Sequence, residues 1–195
     1  MPTQQLKPFL AMVSICLISL SLIHWLTAPS ISHNQQQAQQ KQLLALMPEA
    51  FHTDLQAEHI NQLFETGLVQ FRHNCTELIL IQTQTNGYSS KLNTVTSVLR
   101  DSSSEMTTEI LRVRVMPPQY ETPGLGDIIM LDKSPWISQF DNTAIANMSL
   151  TAPHQVDAVS GATISTEAVI KGVSLALQQV PTVTAIADCD GGKSS

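Results

Sequence analysis

The feature that most constrains this chain is a run of 20 residues, PFLAMVSICLISLSLIHWLT (Pro8–Thr27), without one Asp, Glu, Lys or Arg. Wound as a helix at about 1.5 Å per residue, such a run crosses the roughly 30 Å of hydrocarbon in a bilayer. Ser14, Ser19 and Ser21 can bond back to carbonyls of their own helix. Trp25 stands where an interfacial aromatic belongs, and His24 beside it is close enough to the headgroups to stay hydrated. Lys7 and the terminal amine are the positive charges on the short side. The positive-inside bias therefore leaves residues 1–7 in the cytoplasm and sends the rest across the membrane. The competing reading is a cleaved signal peptide, whose apolar core of about 7–15 residues ends at a small-x-small site. This run is longer, and LTAPS is a weak cleavage site. The expected organisation is a cytoplasmic N-terminus (1–7), a lipid-embedded helix (8–27), a stalk helix (28–48), a folded domain (49–182) and a disordered tail (183–195).

Charge is distributed unevenly around that anchor. All 16 acids and eight of the ten bases lie from Glu49 onward, a formal charge of −8 for that portion. A surface of that sign repels phosphate backbones, so no nucleic-acid partner is expected. Cysteine occurs at Cys16, Cys75 and Cys189 with no CxxC pair, which removes support for zinc or an iron–sulfur cluster. Cys75 and Cys189 are free to pair or not, since two distant cysteines fix no geometry.

Residues 32–47 (SHNQQQAQQKQLLALM) are rich in helix formers and end in Leu43, Leu44, Leu46 and Met47 before Pro48, which predicts a helix that docks its last turn onto the domain. Ile60, Leu63, Phe64 and Leu68 follow helical spacing through 57–71, with Gly67 ending or kinking that helix. TELILIQTQT (76–85) and KLNTVTSVLR (91–100) read as strands across an Asn86-Gly87 turn, with DSSSE (101–105) as a loop. In TTEILRVRVM (107–116) a period of two puts Leu111, Val113 and Val115 on the core face and Arg112 and Arg114 on the other. DIIMLD (127–132) is short and apolar, and Trp136 and Phe140 read either as core residues, the expected placement, or as neighbours of a bound ligand. TAIANMSL (143–150) reads as a strand. A last helix carries Val169, Val173, Ala176, Leu177 and Val180. The fold class is α+β: one domain with a mainly antiparallel sheet and flanking helices on an N-terminal transmembrane helix.

Two stretches carry candidate chemistry. DAVSGATIST (157–166) gathers Ser160, Thr163, Ser165 and Thr166 around Gly161-Ala162, where the last helix begins. Hydroxyls there can cap orphan amides, and the same helix end attracts anions. The stretch therefore reads either as an N-cap or as a place where a phosphate is held or bonded. ETPGLGD (121–127) reads either as a tight connection with positive φ at Gly124 or as a bare backbone surface that a flat ligand can approach.

Taken together, these stretches resemble the G-subunit family of Rnf-type ion-translocating electron-transport complexes, within the periplasmic domains that carry covalent FMN. The resemblance runs through the apolar span, TAPSISHNQQQ, ETPGLGD with the following Trp136 and Phe140, and DAVSGATIS. The family's flavinylation pattern, Asp-x-x-Ser/Thr-Gly-Ala-Thr/Ser, is met by Asp157, Ser160, Gly161, Ala162 and Thr163. The resemblance implies FMN joined by a phosphoester to Thr163 Oγ and installed from FAD by a separate FMN transferase. Ser160 is then expected to shape or cap the loop, and Asp157 to serve the transferase. Glu121, Thr122, Gly124, Leu125 and Gly126 would form a second wall of the flavin site. It further implies residence in a bacterial inner membrane, a periplasmic domain, other subunits of the complex as partners, and a flavin that relays electrons. Gln119-Tyr120 stand where the family tends to carry a basic residue.

Three competing readings follow. The C subunit of the related sodium-translocating quinone reductase shares the motif but is longer. An anchor or assembly subunit that has lost its flavin would not need the intact Asp157–Thr163 pattern. A hydrolase using Ser160 or Thr163 needs a base such as His154, and GATIS is no nucleophile elbow. With a single span and no intramembrane acid, this chain is not itself the ion path.

Overall fold

A computed structural model describes residues 3–101, 107–145 and 156–181. The chain divides into two units, Met1–Ala38 and Gln39–Ser195. Helix α1 spans Thr3–Leu46 and continues through Pro8 and Pro29. Within the first unit it is long and apolar enough to cross a membrane, and none of its most apolar window is buried in protein. Ser14 Oγ donates to Leu10 O at 2.8 Å and Ser19 Oγ to Cys16 O at 2.9 Å, so these hydroxyls cost little in an apolar surround. Ser21 makes no such bond among the described residues.

The second unit is a five-stranded antiparallel sheet in the order β1-β2-β3-β4-β5. Its strands are β1 (Leu68–His73), β2 (Thr76–Asn86), β3 (Lys91–Asp101), β4 (Thr107–Met116) and β5 (Thr143–Ala144). Helix α2 (Ala57–Thr66) precedes β1, and α3 (Thr163–Gln179) follows β5. Gly67 ends α2 in the left-handed conformation at φ 80°, its N–H donating to Leu63 O at 2.9 Å. Leu68 therefore starts a strand and does not extend the helix.

Both faces of the sheet are covered, which explains why Leu78, Ile79, Leu80 and Ile81 are all buried. Leu78, Leu80, Val95 and Met116 pack with Leu43, Leu46 and Met47 of the α1 end and Leu63 of α2. The expected docking of residues 43–47 is thus observed. On the opposite face Val113, Val115 and Ile110 meet Val169 and Val173 of α3, together with Ile129, Trp136 and Phe140. Trp136 and Phe140 are core residues, edge to face at 5.8 Å.

The expectation for β4 needs correcting. A β-bulge at Ser97/Val98 shifts the β3–β4 register, so Val98 pairs with Ile110 and Ser97 with Arg112. Leu111 falls on the α2 side, and Ile110 takes the place beside Val113. The arginines do lie opposite Val113 and Val115, but on a covered face. Arg112 Nη1 donates to Ala45 O at 2.7 Å, and Arg114 forms a two-pronged pair with Asp141 at 3.0 and 2.9 Å.

The β2–β3 hairpin turns at Asn86-Gly87 as expected, with Gly87 N–H donating to Ser90 O at 2.8 Å. Asp101 belongs to β3, not to the loop. Residues 126–129 and 135–140 form short 3-10 turns, the second capped by Ser134 Oγ, which accepts from Trp136 N–H at 3.2 Å. Of the strand expected at 143–150, Thr143–Ala144 is observed and 146–150 lie outside the described residues, as do His154, Cys189 and the tail expected at 183–195.

Candidate functional site

The two stretches singled out by their chemistry meet in one cleft. Its volume is about 420 Å³, within the usual range for small-molecule sites. One wall is Thr122, Leu125 and Gly126. The other is Gly161, Ala162 and the first turn of α3, Thr163–Ser165, with Tyr88 of the β2–β3 turn at the rim.

The loop at 121–127 is held by its own backbone. Thr122 O accepts the N–H groups of Leu125 at 3.2 Å, Gly126 at 2.8 Å and Asp127 at 3.3 Å, while Asp127 Oδ1 accepts Gly124 N–H at 2.8 Å. Its two glycines serve different ends. Gly124 has φ 77° with open space where a Cβ would project. At Gly126 a Cβ would lie 3.0 Å from Glu121 Cβ and Oε2 and 3.2 Å from Ser165 Oγ.

Glu121 lies behind the cleft wall, not in it. Its carboxylate is buried and accepts Ser165 Oγ–H at 2.5 Å, Tyr88 N–H at 3.2 Å and Ser89 N–H at 3.1 Å. Its own N–H donates to Gln119 Oε1 at 2.7 Å. One side chain thereby joins the β2–β3 turn, the glycine loop and the start of α3.

Helix α3 begins at Thr163 as the sequence implies, but no side chain caps it. Its N-cap is Ala162, reached through Gly161 at φ 88°. Ser165 is turned inward to Glu121, and Thr166 Oγ1 is occupied by Ala162 O at 3.1 Å and Thr163 O at 3.0 Å. The capping reading therefore fails for all the hydroxyls of this stretch. Thr163 is exposed, lines the cleft, and its Oγ makes no hydrogen bond among the described residues. The N–H groups of Thr163, Ile164 and Ser165 are likewise unpartnered there, so an anion at this helix end would meet free donors and the positive end of the macrodipole.

Ser160 lies off the cleft wall and makes no hydrogen bond among the described residues, so it does not cap the loop. Asp157 is exposed and contributes through its backbone: its O accepts Trp136 Nε1–H, and its N–H donates to Gln139 Oε1 at 3.0 Å. The motif is thereby pinned to the aromatic core. Of the expected site residues, Thr122, Leu125, Gly126, Gly161, Ala162 and Thr163 line the cleft, whereas Asp157, Ser160, Glu121 and Gly124 support or flank it. Sequence reasoning missed Tyr88, Ile164 and the inward role of Ser165.

These features fit a phosphate-tethered planar cofactor. The hydroxyl is free, the helix end is open to anions, and Gly161 and Ala162 present almost no bulk. Leu125 and Ile164 are each about half exposed beside the hydroxyl, an apolar pairing that a flat ring would cover.

Comparison with known proteins agrees with this geometry. Residues 87–178 match the family described as FMN-binding domain, a span that holds both walls of the cleft. Related chains include the G subunit of the ion-translocating oxidoreductase complex of Stutzerimonas stutzeri, 31% identical over 173 residues, covering 83% of this chain and 73% of that one. Its counterpart in Vibrio atlanticus is 29% identical over 184 residues, covering 83% and 81%. That of Shewanella piezotolerans is 25% identical over 179 residues, covering 83% and 81%. The chain belongs to this G-subunit family of ion-translocating oxidoreductase complexes.

Proposed function

We propose that this chain is the flavin-carrying redox subunit of a membrane complex that couples electron transfer to ion movement. FMN is held through a phosphoester on Thr163 Oγ. The G-subunit relatives and the FMN-binding domain support the redox role. The attachment rests on one observation: Thr163 presents a free, exposed hydroxyl at an uncapped helix end inside the cleft.

In the maturation step an FMN transferase breaks the phosphoanhydride of FAD. The Thr163 oxygen gains the FMN phosphoryl group, its proton departs, and AMP leaves. The bound diester keeps one negative charge beside the three free amides, an arrangement worth about 0.3–1 kcal/mol at an exposed helix end. Thr122, Leu125 and Gly126 face Ile164 across the space left for the ring. When bound, the isoalloxazine accepts and donates the electrons, while the protein orients it. Pro8–Thr27 anchors the chain in a bacterial inner membrane, with residues 1–7 cytoplasmic and the domain periplasmic. Asp157, exposed at the start of the motif, is available to the transferase.

The test is flavin fluorescence in a denaturing gel after co-expression with an FMN transferase and export. The native chain gives a fluorescent band and a mass increased by FMN less one water, and Thr163→Ala gives neither. Loss of the band in Ser160→Ala with retention in Thr163→Ala would overturn the assignment.

A further inference from the structure

Tyr88 is an aromatic side chain on a rigid turn, left 69% exposed at the rim of the cleft. Its backbone is not free to move. Gly87 N–H closes the turn on Ser90 O, and the Tyr88 and Ser89 N–H groups are both held by the Glu121 carboxylate. A Cβ at Gly87 would stand 2.5 Å from Glu121 Oε1 and 2.9 Å from Leu92 Cγ, so the turn is pressed onto the same carboxylate that orients α3. The ring itself makes no hydrogen bond and no aromatic contact among the described residues. Folding alone leaves a large amphipathic surface wet, beside half-exposed Leu125 and Ile164.

Given the attachment of FMN at Thr163, on which this rests, we infer that Tyr88 is a positioning residue that lays its phenol ring against the isoalloxazine. It recognises a flat, electron-poor aromatic system and shields one side of it from water. Tyr120 supplies an internal control. It is 68% exposed, equally oxidisable, and does not line the cleft.

A phenol in contact with an excited flavin gives it one electron and takes it back, with no net chemistry, and the emission is quenched. Phenylalanine keeps the stacking surface but is far harder to oxidise. The experiment compares native-state flavin fluorescence of the detergent-solubilised, flavinylated full chain with that of Tyr88→Phe, Tyr88→Leu and Tyr120→Phe. Each sample is normalised to its band in a denaturing gel. Both Tyr88 variants are expected to brighten severalfold, and Tyr88→Leu also to lower the flavin's fluorescence anisotropy, while Tyr120→Phe matches the native chain. A Tyr88→Phe protein as dim as the native chain, or equal brightening by Tyr120→Phe, overturns the inference and leaves the attachment standing. Absence of the denatured band from the native chain overturns the attachment, and the inference with it.

Discussion

Ser165 Oγ donates to the buried Glu121 carboxylate at 2.5 Å across 44 residues of sequence, and this contact registers the glycine loop against the last helix. Without it, the two walls of the cleft would be joined mainly by apolar packing, which fixes distance less sharply than a charge-assisted hydrogen bond. The same carboxylate holds the β2–β3 turn, so three segments take their positions from one side chain.

Removing that side chain strands several donors at once. Glu121→Ala leaves two backbone amides and the Ser165 hydroxyl without their acceptor, each at a cost of about 1–3 kcal/mol where water cannot replace it. A loss of about 3 kcal/mol is expected in thermal unfolding of the solubilised chain and, under the attachment proposed above, weaker flavin loading because Thr163 is displaced. Ser165→Ala removes one donor and leaves the carboxylate two amides, so about 1 kcal/mol is expected. Equal losses for the two variants would refute the hub role of Glu121.

The glycines of the loop make a sharper prediction. Gly124 is required by its φ of 77° and not by crowding, whereas Gly126 is required by the approach of Glu121 and Ser165. Asn tolerates the left-handed region better than Ala. Gly124→Ala should therefore cost about 1–2 kcal/mol and Gly124→Asn distinctly less. At Gly126, Ala should cost about 1–3 kcal/mol and Asn at least as much, since any Cβ meets the same atoms. Urea midpoints of the four variants decide the matter. Rescue by Asn at position 126 would contradict the crowding.

Local chemistry made much of this molecule readable. The uncharged run, the Asn86-Gly87 hairpin, the Gly67 stop and the helix start at Thr163 are each dictated by residues within a few positions. What escaped reading depends on partners far away in sequence. Ser165 and Thr166 look like caps until the phase of α3 turns them inward toward Glu121 and the helix's own carbonyls. Leu111 looks like a core mate of Val113 until the bulge that leaves it without a β3 partner moves the register by one residue. Tyr88 gives no signal, because an exposed tyrosine in a turn is ordinary until a cleft is found beside it.

Arg114 and Asp141 are a further relationship that the alternating pattern of β4 conceals. Their side chains are only 11% and 17% exposed, and Asp141 also accepts Val113 N–H at 3.3 Å. Asp141→Ala would leave a guanidinium uncompensated in a covered place, an expected loss of about 3–5 kcal/mol. Replacing both partners by apolar residues of similar volume should recover most of that loss, since it removes the desolvated charge together with its counter-charge. A double-mutant cycle read by denaturant unfolding checks this. A double variant no more stable than Asp141→Ala would mean that the lost Val113 bond, and not the stranded arginine, dominates.

The seat of α3 on the sheet sets where Thr163 stands, and it depends on Gly172. A Cβ there would lie 3.0 Å from Thr83 Oγ1 and 3.4 Å from Thr94, while Thr83 Oγ1 donates to Gly172 O at 3.0 Å. The hydrogen bond holds the threonine oxygen where the added methyl must go. In an unconstrained helix interior, Gly→Ala stabilises by about 0.5–1 kcal/mol. Here the clash opposes that gain, so Gly172→Ala should destabilise the native chain by about 1 kcal/mol. In a Thr83→Ala background the obstructing oxygen is gone and the helix preference should reassert itself, so the same substitution should become neutral or stabilising. The sign change is the diagnostic, read as the coupling in a thermal-unfolding cycle. Gly172→Ala that stabilises both backgrounds would mean α3 rides higher on the sheet than the Thr83 contact requires.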